Sequence, residues 1–277
     1  MKTSRITSTA NPHVKEVLSA VREKSSVGER LFLIEGIHLV EMALLSGAVM
    51  KEVFFTGPFD EKDEGARLLN RIGEKGITLA EVGEQVMSKL TATKTPQGIA
   101  ALVSHEHARL TGLKTGGKPL LVILDRIQDP GNLGTIIRTA DAAGADAIAI
   151  LPSSCDPFSE KAVRSTAGSI FHIPIIRNSF DDLRVFLDER KIRLAVATAD
   201  APSSLYDTDL AGPVALVFGN EARGVSREVR ESADLSFSIP IIGRAESLNV
   251  ASAAAACLYE AARQRSAKNS STGEDRQ

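Results

Sequence analysis

The chain has 277 residues, of which 43% are hydrophobic and 25% charged, and its formal net charge is −2 at pH 7. This balance is typical of a globular protein with one large or two ordinary domains, and it excludes an overall basic nucleic-acid-binding protein. The N-terminal stretch lacks the apolar core of a signal peptide, and no window is apolar enough to span a membrane. We therefore expect a cytoplasmic protein.

Helices and strands alternate in the first part of the chain. Asn11 and Pro12 are expected to start a helix that runs to about Glu23. The elements predicted after it are a strand over 30–35, a helix over 36–46 closed by Gly47, a strand over 49–56, a helix over 61–74, and strands over 77–82 and 98–104. This order predicts an α/β/α sandwich.

The segment TGLKTGGKP at 111–119 separates two patterned regions and is the best linker candidate. We predict a first domain over 1–111, a linker over 112–119, a second domain over 120–265 and a polar, disordered tail over 266–277. The second domain has short apolar runs at 120–124, 147–151, 173–176, 194–198, 214–218 and 235–239. Continuous apolar strands that alternate with helices indicate a mostly parallel sheet covered on both faces.

Ligands of such sheets bind beyond the carboxyl ends of the strands, so the loops there are the candidate site. In the loop DRIQDPGNLGTIIR after the first strand, Asn132 is predicted to cap a helix, and Arg138 lies roughly one and a half turns into that helix. In the loop GNEARGV after 214–218, two glycines flank Asn220 and Glu221. Glycines in this arrangement indicate a backbone that passes close to a ligand.

The last folded segment, 239–265, runs from an apolar strand into a loop that ends in Ser247, Leu248 and Asn249. A helix follows, and its first half is almost entirely small residues, VASAAAA at 250–256. Small side chains permit close approach of a ligand or of another backbone. Polar side chains and unpaired backbone N–H groups coincide at the start of this helix, which favours a binding site.

Several other chemistries lack the residues that they need. The loops carry neither a Walker sequence nor GxGxxG, which disfavours nucleoside triphosphates and NAD, and the chain has no HExxH and no GxSxG. His105 and His107 have no third ligand nearby in sequence, so no metal site is predicted. His172 is expected inside a strand, which argues against a Ser-His-Asp hydrolase.

Three segments together resemble the motifs of the SpoU (TrmH-like) family of RNA 2′-O-ribose methyltransferases, in the SPOUT superfamily. They are 132–140, 216–224, and 239–240 with 247–252, in the family's order and approximate spacing. The stretches RLFLIEG at 30–36 and TPQGIAALV at 95–103 resemble the family's substrate-binding domain, which is similar to small ribosomal RNA-binding proteins.

The resemblance implies a C-terminal α/β domain with a trefoil knot, a homodimer with the site near the subunit interface, and S-adenosylmethionine as the cofactor. Gly219, Ile239 and Leu248 would contact the cofactor through backbone groups and apolar surface. The remaining implied cofactor residues are Phe218, Asn220, Gly224 and Asn249. No metal and no membrane is implied.

The resemblance also implies catalytic residues. Arg138 would handle the proton of the ribose 2′-hydroxyl, but a guanidinium is hardly ever neutral, so it would instead hold a phosphate or stabilise the developing alkoxide. Asn132 and Glu221 would orient Arg138 or the ribose. Ser247 and Asn249 would position the acceptor nucleotide, with helix capping as the alternative for Ser247.

The implied function is methylation of RNA, with ribosomal RNA favoured because the first domain resembles ribosomal proteins. The alternatives are a tRNA ribose methyltransferase, a non-catalytic RNA-binding ribosome-assembly factor and a small-molecule enzyme that uses a nucleotide cofactor. The sequence does not indicate which nucleotide is modified, or whether the role is housekeeping or antibiotic resistance.

RNA binding must depend on local basic patches. Residues 1–111 carry 14 Lys and Arg against 14 Asp and Glu, which leaves 19 against 21 in the rest. The candidates for a basic face are Lys2, Arg5, Lys15, Arg22, Lys24, Arg30, Lys114, Lys118 and Arg164.

Overall fold

The computed structural model describes residues 5–23, 29–91, 93, 95–106 and 108–272. The helices and strands in chain order are α1 (Pro12–Arg22), β1 (Glu29–Glu35), α2 (Ile37–Ser46), β2 (Val49–Phe55), α3 (Gly57–Asp60), α4 (Asp63–Glu74), β3 (Thr78–Glu81), α5 (Glu84–Thr91), β4 (Ile99–Glu106), β5 (Leu120–Asp125), α6 (Pro130–Ala142), β6 (Ala147–Ile150), α7 (Glu160–Thr166), β7 (Ile175–Arg177), α8 (Phe180–Glu189), β8 (Arg193–Ala197), β9 (Ser203–Ser204), β10 (Val214–Gly219), α9 (Arg227–Glu231), β11 (Leu235–Ser238) and α10 (Val250–Thr272). Short 3-10 helices lie at Leu110–Gly112, Ser169–Phe171 and Leu205–Asp207. In the described part of the chain, no helix is long and apolar enough to cross a membrane.

The chain forms two compact units. The first contains residues 1–107 together with 158–171, and the second contains 108–157 and 172–277. The units meet at residues 107 and 108, whereas the first domain was predicted to end at 111. Residues 158–171, predicted in the second domain, belong to the first unit. Phe158 explains the insertion, because its ring lies 5.0 Å from that of Phe32 in β1 and so packs its segment on the first unit. A contact between residues this far apart in sequence leaves no local pattern.

The first unit is the predicted α/β/α sandwich. Its sheet has the order β1-β4-β2-β3, antiparallel except for the β2–β3 pair. Leu33 of β1 packs in a cluster with residues of α1 and α5, such as Val17 and Met87. Phe32 and Ile34, the neighbours of Leu33, are equally buried and point to the opposite face, since side chains alternate along a strand. Both faces of the sheet are therefore covered.

The second unit is built on a seven-stranded sheet with the order β7-β6-β5-β10-β8-β11-β9. All six strand pairs of this sheet are parallel. The mostly parallel sheet predicted from the apolar runs is thus confirmed, and all six residues of β5 are buried because helices cover both faces. The strand order reverses between β5 and β10, whose last residues, Asp125 and Gly219, lie side by side. This reversal is where a parallel sheet opens a crevice for ligands.

Two predictions for the second unit are wrong. His172 lies in a turn before β7, with 40% of its side chain exposed, and its Nδ1 is 3.3 Å from Asp141 Oδ2. Pro174 lacks a backbone N–H and is followed by the first strand residue, Ile175, so the strand starts later than predicted. The helix α10 continues to Thr272, although disorder was expected from Ser266; residues 273–277 lie outside the described part.

The alanine-rich start of α10 packs against another helix of the same chain. Ala251 and Ala254 are buried, and α10 lies against α6. Small side chains reduce the distance at which two helices pack. The run of alanines therefore brings α10 close to the helix that follows β5, and so close to the crevice.

The side chain of Asp234 is hydrogen-bonded to both α8 and β8, so its removal tests how much these contacts stabilise the second unit. Its carboxylate accepts hydrogen bonds from Leu194 N at 2.7 Å and from Arg184 Nη1 at 3.0 Å. Burial acts to raise the pKa of Asp234, but the hydrogen bonds from Arg184 and Leu194 outweigh it, so the pKa lies below its usual value. A depressed carboxylate pKa contributes stability that is present above the unfolded-state value of about 3.9 and is lost as the pH falls through the folded-state value.

The Asp234 side chain is 38% exposed, so solvent screens its charge, and we expect Asp234→Ala to lower the free energy of unfolding by about 0.5–1 kcal/mol at pH 7 and by less at pH 3. Urea unfolding of both proteins at the two pH values measures this difference. Asp188→Ala is the control, since Asp188 also pairs with Arg184 but is 57% exposed and should matter little. A loss for Asp234→Ala that is equal at both pH values contradicts the proposed role of the carboxylate.

Candidate active site at the carboxyl ends of the strands

The turn after β5 is fixed by two acidic side chains. The buried carboxylate of Asp125 accepts a hydrogen bond from Ser226 N at 2.5 Å. Asp129 caps α6 by accepting from Asn132 N at 2.9 Å, and Pro130 occupies the first helical position. The prediction that Asn132 is the cap is therefore wrong. Asn132 lies in the first turn of the helix, where its side chain is available for other contacts.

The loop after β10 is closed by its own backbone. Asn220 and Gly224 exchange two backbone hydrogen bonds, of 2.8 and 3.0 Å, and the Asn220 side chain accepts from Ala222 N and Arg223 N. A Cβ atom on Gly219 would lie 2.3 Å from Val225 N, so no other residue fits there without moving the backbone. The glycines of this loop thus allow its backbone to fold tightly on itself.

Three of the predicted catalytic residues form one hydrogen-bonded chain, which we call the polar cluster: Glu221, Asn132 and Asn249. Asn132 Nδ2 donates to Glu221 Oε1 at 2.8 Å, and Asn249 Nδ2 donates to Asn132 Oδ1 at 3.1 Å. Asn249 Oδ1 in turn accepts from Ala251 N at 2.9 Å and so caps α10. Because the carboxylate only accepts, it fixes the amide orientation of Asn132 and then that of Asn249.

A cavity of about 300 Å³ lies beside the polar cluster. Its walls are mostly apolar, and they contain every predicted cofactor residue except Asn249. The lining residues are Ala197, Thr198, Ala199, Phe218, Gly219, Asn220, Glu221, Gly224, Ile239, Ile241, Glu246, Ser247, Leu248, Val250 and Ala253. Residues 197–199 were not predicted to line the site. Ala197 ends β8, which neighbours β10, and Thr198 and Ala199 follow it, so the loop after that strand also reaches the crevice.

The cavity combines apolar walls with one carboxylate. Phe218, Leu248 and Val250 supply apolar surface for a flat ring, and Leu248 leaves 42% of its surface exposed. Gly219, Asn220 and Gly224 of the loop after β10 line the same cavity, and Glu221 adds a carboxylate. Cofactor sites typically combine a mostly apolar surface with a few placed polar groups.

Two predicted catalytic residues lie apart from the polar cluster. Arg138 is exposed on α6, and its side chain makes no hydrogen bond or ion pair with any residue that the structure describes. It lies six residues beyond Asn132, which is about 9 Å along the helix axis and on a different face. Ser247 is exposed, lines the cavity and does not cap α10, a role that belongs to Asn249.

Comparison with known proteins gives the family. Residues 119–259 match the SpoU rRNA Methylase family, and residues 11–101 match the MRM3-like substrate binding domain. The chain belongs to the SpoU rRNA methylase family. The predicted family is confirmed, and with it the class of enzyme, a methyltransferase that uses S-adenosylmethionine.

Members of the family resemble the chain over nearly its whole length. The 23S rRNA (guanosine(2553)-2′-O)-methyltransferase RlmP of Bacillus subtilis is 39% identical over 92% of this chain and 98% of its own. The 23S rRNA (uridine(2479)-2′-O)-methyltransferase of Streptomyces viridochromogenes is 31% identical over 88% of this chain and 85% of its own. The crystal structure of an AdoMet-bound rRNA methyltransferase from Sinorhizobium meliloti superposes with a TM-score of 0.83 at 33% identity, over 95% of this chain and 98% of that one.

The site of this SpoU protein offers no activated thiol. Burial raises the pKa of Cys155 to about 11, and the nearby carboxylates of Asp129, Asp156 and Glu221 act in the same direction. Burial alone raises the pKa of Cys257 to about 12. Both thiols are therefore protonated at neutral pH, and a protonated thiol is a poor nucleophile.

The described residues contain no group of three or more His, Cys, Asp or Glu side chains that could hold a metal ion. Of the two histidines considered for a metal, His105 has its ring 4.8 Å from that of Phe158. His107 lies outside the described residues.

The polar cluster gives a test of the site. In Asn132→Asp the donor to Glu221 is replaced by a second carboxylate, whose charge repels the first. We expect methyl transfer to fall about 100-fold, the scale of losing one positioned polar group in an active site. Single-turnover assays with excess enzyme measure this rate. Thr135→Ala removes a hydroxyl from the same helix and should leave the rate unchanged; an unaltered rate in Asn132→Asp contradicts a role for the cluster.

Proposed function

We propose that this protein transfers the methyl group of S-adenosylmethionine to the 2′-hydroxyl of a ribose in 23S ribosomal RNA, in the cytoplasm. The observation that carries the proposal is the polar cluster of Asn132, Glu221 and Asn249 beside an apolar cavity. The names of the curated relatives, which specify 2′-O-methylation of 23S rRNA, support the substrate.

The bound cofactor would supply a methyl group on a positively charged sulfur. Phe218, Leu248 and Val250 would hold its apolar parts, and backbone groups of the loop after β10 would bind its polar edge. Glu221 and Asn132 would orient the ribose by hydrogen bonds. Such a transfer needs an acceptor held in line and help with the hydroxyl proton, and it needs no covalent enzyme intermediate.

Arg138 would serve the acceptor through charge. A guanidinium stays protonated, so it would not take the proton of the 2′-hydroxyl, which would pass to water. It would stabilise the oxygen as negative charge develops, or hold the adjacent phosphate. Its exposure and its lack of a partner among the described residues support a role toward a bound molecule.

We further propose a trefoil knot in the second unit and a homodimer. A partner protomer would cover α6 and so bring Arg138 into an enclosed site. The first unit would bind the RNA substrate and the second would carry the methyltransferase; the match of residues 11–101 to a substrate-binding domain supports the first assignment. Measuring the mass in solution by light scattering tests the dimer.

The experiment that tests the function is incubation of the protein with labelled S-adenosylmethionine and, separately, with 23S rRNA and tRNA that lack modification. We expect label in 23S rRNA and a single new 2′-O-methylated ribose on a methylation map. Label in tRNA alone would replace the proposal by a tRNA enzyme. Cofactor binding without transfer to either RNA would support a non-catalytic assembly factor.

A further inference from the structure

A second cavity, of about 620 Å³, lies in the methyltransferase unit and takes no part in the cofactor site. Four arginines line it against a single glutamate: Arg126, Arg223, Arg227, Arg230 and Glu231, together with Val225. Four cations at one place are unusual in a chain whose formal net charge is −2. Such a local concentration of positive charge attracts polyanions even when the whole protein is nearly neutral.

Arg126 is held in place before any ligand arrives. Its backbone is left-handed, with φ of +59°, a conformation that costs energy for a residue other than glycine. Its guanidinium donates to Gly224 O at 3.3 Å and lies 3.4 Å from Asp125 Oδ1, while its carbonyl accepts from Asn220 Nδ2 at 3.1 Å. Arg126 therefore ties the arginine-lined cavity to the loop that carries Glu221.

Two of the other arginines are available to an incoming anion. The Arg223 side chain makes no hydrogen bond or ion pair with any described residue. Arg227 is 88% exposed, and its partner Glu231, one helical turn away, is 63% exposed. Such an exposed pair is held weakly in water, so a phosphate competes well for the arginine. Arg230 differs from both because it pairs with Asp200.

Three of the basic residues expected from the sequence are already engaged within the protein. Arg30 is buried and donates to the carbonyl oxygens of Val21 and Glu23. Arg5 pairs with Glu81, and Arg164 pairs with Glu160. Lys2 and Lys24 lie outside the described residues.

We infer that Arg126, Arg223 and Arg227, the arginine cluster, bind the phosphodiester backbone of the RNA next to the ribose that is methylated. The inference rests on the proposed function. The loop 219–225 lines both cavities, with Glu221 in one and Arg223 in the other, so a strand whose ribose reaches the polar cluster passes the arginines. Arginine suits this task because its planar fork binds phosphate oxygens in pairs.

The test is the double variant Arg223→Gln/Arg227→Gln, with Arg190→Gln as the control. Arg190 is an exposed arginine of the same unit that lies over the Phe186 ring, outside the cluster. Arg126 is left intact because its contacts hold the loop. Affinity for in vitro transcribed 23S rRNA is measured by filter binding from low to high salt, S-adenosylmethionine affinity by calorimetry, and transfer by steady-state kinetics.

We expect the slope of log affinity against log salt to fall by about 1.4 to 1.8 for the two lost phosphate contacts. The KM for RNA should rise about tenfold, with kcat and cofactor affinity unchanged. Arg190→Gln should leave the salt slope, the KM for RNA, kcat and the cofactor affinity unchanged. An unchanged salt slope and KM would overturn the inference, and so would a parallel loss of cofactor affinity, which would show that the arginines only shape the loop.

The salt slope is a property of binding and does not depend on methyl transfer. If the unaltered protein binds 23S rRNA but transfers no methyl group, the proposed function fails. In that case a reduced salt slope in the double variant still supports the arginine cluster, and an unchanged slope overturns it. The two failures are therefore distinguishable.

Discussion

Gly219→Ala is expected to abolish S-adenosylmethionine binding at concentrations that saturate the unaltered protein. The added Cβ would lie 2.3 Å from Val225 N and 2.5 Å from Gly224 O, and both are backbone atoms that no side-chain rotation can move. The loop 219–225 must then open, and with it the wall of the cofactor cavity. A displacement of about 1 Å in an active site costs roughly 100-fold in reaction rate, and we expect a loss of cofactor affinity of the same order. Calorimetry with the cofactor measures the loss.

The same variant should lose about 1–3 kcal/mol of unfolding free energy, because the core at the end of β10 is overpacked. The matched control is Gly117→Ala, since a Cβ on Gly117 meets no atom within 4 Å. That control should bind the cofactor normally. Normal cofactor affinity in Gly219→Ala, in a protein that shows the expected loss of stability, would contradict the assignment of the cavity to the cofactor.

Arg138→Ala is expected to remove methyl transfer and to leave cofactor binding intact. Arg138 does not line the cofactor cavity, and its side chain makes no hydrogen bond or ion pair with the described part of the chain, so truncating it breaks no such contact there. Losing a group that stabilises developing charge in a transition state costs about 10²–10³-fold in kcat. Single-turnover transfer to 23S rRNA and calorimetry with S-adenosylmethionine separate the two effects.

Arg138→Lys distinguishes the possible actions of this residue. Lysine keeps the positive charge but lacks the planar fork, so partial recovery indicates charge stabilisation and no recovery indicates a paired contact to phosphate or oxygen. Arg190→Gln again controls for the loss of an exposed arginine. A large loss of cofactor affinity in Arg138→Ala contradicts the assigned role, and so does a normal transfer rate.

The sequence predicted those features that follow from local pattern. The apolar run of β5 is buried along its full length, as its composition predicts, and the loop from Gly219 to Gly224 folds tightly because its glycines permit it. The errors arose where a neighbouring residue competed for the same role. Helix α6 begins at Pro130 and is capped by Asp129, three residues before Asn132. Strand β7 begins after Pro174, so His172 lies in a turn.

The site itself shows the limit of local pattern. The motifs identified the residues of the polar cluster, but not that Asn132 bonds both Glu221 and Asn249, which are 89 and 117 residues distant in sequence. No motif predicted the arginine cluster as a unit, although Arg223 lies within the motif segment 216–224. Arg126 follows one strand and Arg227 begins a helix after another, and only the pairing of β5 with β10 brings them to one cavity.

By itself, the sequence determined the family, the parallel sheet, the cofactor and most of the cavity's lining. These features depend on periodic burial and on short motifs, whose residues are close to one another in the sequence. The tertiary structure alone decided which side chains are hydrogen-bonded to each other, which arginines have an ion-pair partner and where the second cavity lies. Those properties arise from contacts between distant segments, whose geometry is set by the packing of the whole unit and leaves no periodic trace in any one segment.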